Sequence, residues 1–162
     1  DLSAGGGAIL LKKDHGRNKI LGSHIVSDGR LSRSVGVEIG GTENIVTIDN
    51  VEESRKSLRV LEPFKMKSRL KEVSINNWLR CIDESLRKAK LKRSDIGYLA
   101  ILHIKRSEHM NLLKELGLKE DQTTYLEDYG HMGQIDYCCH ACCRYRICMG
   151  CEYHKLGSVI YN

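Results

Sequence analysis

The sequence is short of aromatic side chains and almost without proline, with one Trp, one Phe and one Pro in 162 residues. The few aromatics do not interleave with the lysines and arginines, so no stacking platform for nucleic acid is expected. The single proline, Pro63, excludes a proline-rich linker and leaves one boundary mark. No apolar run approaches the ~20 residues that a membrane-spanning helix needs. No basic-then-apolar leader is present either, so nothing marks secretion and a cytoplasmic protein is expected. Neither sign of charge dominates, with 26 Lys and Arg against 21 Asp and Glu. A net charge of +5 is what ordinary solvated lysines and arginines give, and it favours acidic partners only slightly. The chain opens at Asp1, with no methionine, directly on a glycine cluster, which raises the expectation of a fragment.

What is present describes a soluble globular chain. Its hydrophobic fraction of 41% and charged fraction of 29% are ordinary, and its length suits one domain with a real core. Residues 4–13, AGGGAILLKK, place glycines before a strand expected at Ala8 to Leu11. A phosphate-cradling loop needs them after a strand and before a helix, so close packing is the better reading. A second strand is expected from Ile20 to Val26, with a turn at Asp28-Gly29. His15 reads as a loop residue and His24 as a packed or edge residue of that strand. From Arg30 to Asn50 the glycines Gly36, Gly40 and Gly41 interrupt any long element, and only Ile45 to Ile48 reads as a short strand. From Ser68 to Leu91, Val73, Ile75, Trp78, Leu79, Ile82, Leu86 and Ala89 recur at helical spacing, opposite charged residues. This predicts a core-facing amphipathic helix. Cys81 lies one residue off its stripe and reads as an inert packed thiol.

The stretch Gly97 to Asp136 carries the chemistry. Tyr98 to Leu102 is an apolar run too short for a helix, and it ends at His103. Ser107 can cap a helix with Met110, Leu113 and Leu116 on one face, and Gly117 can close it. Thr123 to Leu126 reads as another strand, and it empties into Asp128-Tyr129-Gly130-His131-Met132-Gly133. Sites form at the carboxyl ends of strands in open α/β sheets, so His103 and His131 are candidates to meet. His109, on the intervening helix, is expected at the surface. Strands alternating with helices predict an α/β layered fold.

Taken in order, the glycine-rich AGGGAILL, the SDG turn at Ser27 to Gly29, SDIGYLAILH, LKELGL and DYGHMG resemble the C-terminal half of β-ketoacyl-acyl-carrier-protein synthase III, in the thiolase superfamily. The resemblance covers about residues 1–136. It implies the C-terminal half of a layered α/β/α fold, incomplete at its last helix and strands. It also implies an acyltransferase of fatty acid biosynthesis that joins an acyl thioester to a malonyl thioester with decarboxylation. His103 would stand where the family has its strand-end histidine, and His131, after Gly130, where it has an asparagine. Two such groups make chemical sense, because decarboxylation builds negative charge on a thioester oxygen that N–H donors stabilise. Ile104, Lys105 and Arg106 depart from the family's Gln-Ala-Asn. Lys105 and Arg106 are candidates to meet a phosphopantetheine phosphate or an acidic carrier protein. The implied substrates are acyl-CoA and malonyl-acyl-carrier protein, with coenzyme A or phosphopantetheine as the thioester carrier and no further cofactor, in a homodimeric parent enzyme. The family's nucleophilic cysteine lies upstream of the matching region, so this chain alone is not expected to condense anything.

Cysteine is concentrated in the tail: six of the seven lie between Cys138 and Cys151. Residues 137–162 are therefore read as a unit apart from 1–136. Cys148, Cys151 and His154 follow C-x2-C-x2-H spacing, and a fourth ligand from Cys138, Cys139, Cys142 or Cys143 would complete a tetrahedral zinc site. That makes a small zinc-binding interaction module the alternative function. A frame-shifted tail fits the position better. Cysteine codons are TGY, and one nucleotide later such a run reads as valine or alanine. In that frame Met149-Gly150 becomes tryptophan, and one permitted translation is TVVMLAAGIGYAWGANII, in keeping with the family's terminal strands. An out-of-frame deletion after Asp136 is the expectation, and the coding DNA tests it.

Overall fold

A computed structural model describes residues 3–16, 18–138 and 140. Of the tail read as frame-shifted, 137–162, only Tyr137, Cys138 and His140 are described; the candidate zinc ligands Cys148, Cys151 and His154 lie outside the described residues. The chain is mixed α/β, and it divides into two compact units. One is Ile25–Asn77; the other joins the residues up to His24 with those from Trp78 onward.

In the Ile25–Asn77 unit, strands β1 (Val35–Val37) and β2 (Leu58–Val60) pair antiparallel, Val35 opposite Val60 and Val37 opposite Leu58. Gly36 was expected to interrupt structure here. Instead it sits within β1, opposite Arg59, because a glycine flanked by two valines still supplies the ladder's N–H and C=O. A short helix α1 (Val51–Ser54) precedes β2, and Ile45 to Ile48 forms no strand. The carboxylate of Asp28 caps the turn at Gly29–Leu31. It accepts from Arg30 at 2.7 and 2.9 Å and from Arg69 at 3.0 and 2.7 Å. Those guanidinium bonds, Arg30 first, hold its carboxyl well below the usual carboxylate range.

Helix α2 (Pro63–Ala89) confirms the periodicity of residues 68–91, but begins five residues earlier. Pro63 is its first residue, where the missing N–H would have had no helical partner anyway. Leu86 is its one buried residue among those described, and most of its apolar stripe is half-buried.

The second unit holds most of the core: Leu86, Ile96, Tyr98, Leu99, Ile101, Leu112, Leu113, Leu116 and Leu126 are all buried. Helix α3 (Arg106–Leu116) buries His109, Leu112, Leu113 and Leu116, which share one face at i, i+3, i+4 and i+7. The buried face is thus turned by one residue from the expected Met110-centred stripe. His109 occupies the place, with 2% of its surface exposed, and is not a surface residue. Gly117 closes the helix as expected, in the left-handed region at φ 70°. Its N–H bonds to Lys114 and that of Leu118 to Leu113, the paired bonds of a Schellman ending. The extended segments around Leu99 and Thr123 meet in a single parallel bridge, the Leu99 N–H donating to the Gln122 carbonyl at 2.8 Å. The segments at 8–11 and 20–26 form no strand among the described residues. Ile9, Leu10, Leu11, Ile20 and Leu21 stay exposed there.

Candidate functional site

Two parallel segments joined by a helix deliver their following loops to the same end, which positions the site. The first runs through Ile101 into His103. The second ends at buried Leu126 and turns through Tyr129 and Gly130, whose N–H groups both reach back to the Leu126 carbonyl at 3.2 Å. Gly130 adopts φ 68°, a conformation that glycine takes without strain, and His131 follows. A second left-handed glycine, Gly133 at φ 67°, folds the chain again. The Asp136 N–H closes that turn on the Gly133 carbonyl at 3.2 Å.

Asp136 is where the two histidines converge. Its side chain is wholly buried. Oδ2 accepts from the His103 backbone N–H at 2.7 Å and lies 2.7 Å from His131 Nδ1, while Oδ1 accepts from the Met132 N–H at 2.8 Å. The His103 amide and the His131 ring therefore lie no further apart than twice that distance. Burial by itself pushes the Asp136 carboxyl up. The two backbone N–H donors and the His131 ring outweigh it, so the group titrates below its ordinary value.

The two rings are held differently. His131 is one-third exposed, and its Nδ1 faces the carboxylate. His103 stacks at a tilt on Tyr125, centroids 4.9 Å apart, and its Nδ1 is buried with no hydrogen-bond partner among the described residues. Burial pushes the His103 imidazolium down, more than the Asp136 charge pulls it up, which keeps the ring neutral to lower pH.

Tyr125 links several of these parts. Its hydroxyl donates to the Ile104 carbonyl at 3.1 Å, and His109 meets its ring edge-on at 5.5 Å. The Arg106 guanidinium lies over the same ring at 5.3 Å and pairs with Glu127 at 3.0 Å. Arg106 thus shares a stacking partner with His103. Lys105 is exposed at the N-cap of α3, its carbonyl accepting from Glu108 and His109. No family model, curated protein or solved structure matches the chain.

Asp136 and Tyr125 are the residues that sequence reasoning missed. Asp136 did leave a trace, as the one acidic residue of Gly130 to Asp136, placed just after two glycine turns. The cavity of about 420 Å³ in the same unit is a separate feature, lined by Trp78, Cys81, Ile82, Leu86, Tyr98 and Tyr137. Cys81 is half-buried and unbridged there, on α2. Among the described residues, no three His, Cys, Asp or Glu side chains are placed to hold a metal ion, and no helix is long and apolar enough to cross a membrane.

Proposed function

We propose that this chain supplies the malonyl-handling half of a decarboxylating condensing enzyme similar to β-ketoacyl-acyl-carrier-protein synthase III, on a thiolase-like layered fold. The observation that carries the reading is the convergence of His103 and His131 on the buried Asp136 carboxylate, at the carboxyl ends of two parallel segments. In the reaction, an acyl group leaves a cysteine sulfur of the complementary half. The malonyl thioester loses CO2, its α-carbon bonds to the acyl carbon, and the freed sulfur takes a proton. Charge builds on the malonyl thioester oxygen as CO2 departs, and the histidine N–H groups stabilise it there. Arg106 is linked to this chemistry through Tyr125, and a carrier phosphate there would compete with Glu127 for it. The partners on this reading are acyl-CoA, malonyl-acyl-carrier protein and a second copy of the enzyme, in the cytoplasm.

The test is complementation. Mixed with the cysteine-bearing half of a synthase III, the chain restores 3-oxoacyl thioester formation, and alone it forms none. His103→Ala and His131→Ala each lower the restored rate about 100–1,000-fold, the usual cost of one oxyanion donor. Restored activity indifferent to both substitutions would end this reading.

A further inference from the structure

A carboxylate held ionised can only accept hydrogen bonds, so the nitrogen of His131 that faces Asp136 must be the one bearing a proton. The same carboxylate oxygen already accepts the His103 backbone N–H, and the other oxygen accepts that of Met132. Three N–H groups from three residues therefore aim at one buried side chain. His103 is in the reverse situation. Its Nδ1 is buried without a hydrogen-bond partner among the described residues, and an unpaired lone pair there costs less than an unpaired N–H, which places its proton on Nε2.

We propose that Asp136 is the positioning residue of this site and that the two histidines are held in opposite neutral tautomers, His131 protonated on Nδ1 and His103 on Nε2. The consequence concerns which ligand groups the pair can recognise, and that part rests on the condensing-enzyme reading. With both rings neutral, the site offers one donor, His103 Nε2–H, and one acceptor, His131 Nε2. A thioester oxygen then finds a single donor. When His131 takes up a second proton, its Nδ1–H stays on Asp136 and its Nε2–H becomes the second donor. The pair then suits an enolate oxygen. Asp136 thereby makes the second donor conditional on a proton, unlike an asparagine amide, which donates at any pH.

Ring-15N NMR of the full chain, at a pH where both imidazoles are neutral, tests the assignment without substrate or complementary half. Wild-type His131 should read as the Nδ1–H form and His103 as the Nε2–H form. In Asp136→Asn, His131 should move toward Nε2–H, since the amide cannot accept from all three donors, while His103 keeps its form. Wild-type His131 found as Nε2–H overturns the proposal whatever the variant does. So does an Asp136→Asn spectrum that keeps His131 on Nδ1 while the amides of residues 96–101 and 112–116 remain dispersed. If the variant loses that dispersion, the wild-type spectrum alone decides. Failure of the complementation assay leaves this result untouched, so the two readings fail separately.

Discussion

His109 shows how much one residue can couple to solution conditions. It is buried on α3, its Nε2 lies 2.9 Å from Thr123 Oγ1, and that hydroxyl donates to the Leu99 carbonyl at 2.8 Å. The hydroxyl proton is committed to Leu99, so Nε2 is the donor, and burial favours the neutral ring. Burial is the main cause that lowers its titration from 6.5 to about 4. Between those values the unfolded chain binds a proton that the folded chain does not, so stability rises with pH across the window. The chain should therefore lose about 3 kcal/mol of stability between pH 6.5 and pH 4 from this group. Half-buried His103 and buried His140 push in the same direction. Chemical denaturation at a series of pH values measures the slope, and His109→Phe should flatten it while keeping the edge contact with Tyr125. An equally steep slope in that variant would assign the effect elsewhere.

At the scale of elements, the close approach of Gly22 to α2 gives a clear expectation. A Cβ at Gly22 would fall inside van der Waals contact with the Ser85 carbonyl oxygen, which is backbone and cannot swing away. Gly22→Ala should destabilise the chain by about 1–3 kcal/mol, the usual penalty of overpacking, read as a lower urea midpoint with an unchanged slope. The helices were the legible part of the sequence, since α2 and α3 each carry a 3.6-residue apolar pattern, half-buried on α2 and buried on α3, and α3 ends on a glycine that takes φ 70°. The apolar runs before the two candidate histidines, Tyr98 to Leu102 and Thr123 to Leu126, were expected as strands but form only one isolated bridge, Leu99 to Thr123. Asp136 was not legible, because its role depends on two left-handed glycines that bring it back beneath residues distant in sequence. His109 was misplaced because a polar residue on a helix reads as solvent-facing unless its hydrogen-bond partner is known, and Thr123 lies beyond the helix. Strands were the least legible. Ala8 to Leu11 and Ile20 to Val26 have the composition of strands, but a strand needs a partner whose register a single segment does not encode.

Across the whole molecule, the unpaired apolar segments set the solution behaviour. Leu10 is 95% exposed and Ile20 74%, in segments that form no strand among the described residues. Such segments are templates for pairing with another chain. The protein should elute in size-exclusion chromatography as associated species whose size grows with concentration, and Leu10→Lys with Ile20→Lys should shift it toward monomer. A compact monomer at every concentration would count against this. The coding DNA bears on the same question from another side. If codons 137–162 read one nucleotide later give apolar strand sequence, the association follows from lost partners for these segments.

The anchorage of His103 also differs from that of His131 in what it allows to change. Asp136 grips residue 103 by its backbone amide and residue 131 by its ring. Any amino acid but proline brings the same amide, so the side chain at 103 can be exchanged with its loop still fastened, whereas changing 131 removes a fastening. Position 103 is therefore the place where this scaffold can acquire a different reactivity in one substitution, and His103→Pro is the substitution that should unhook the loop itself.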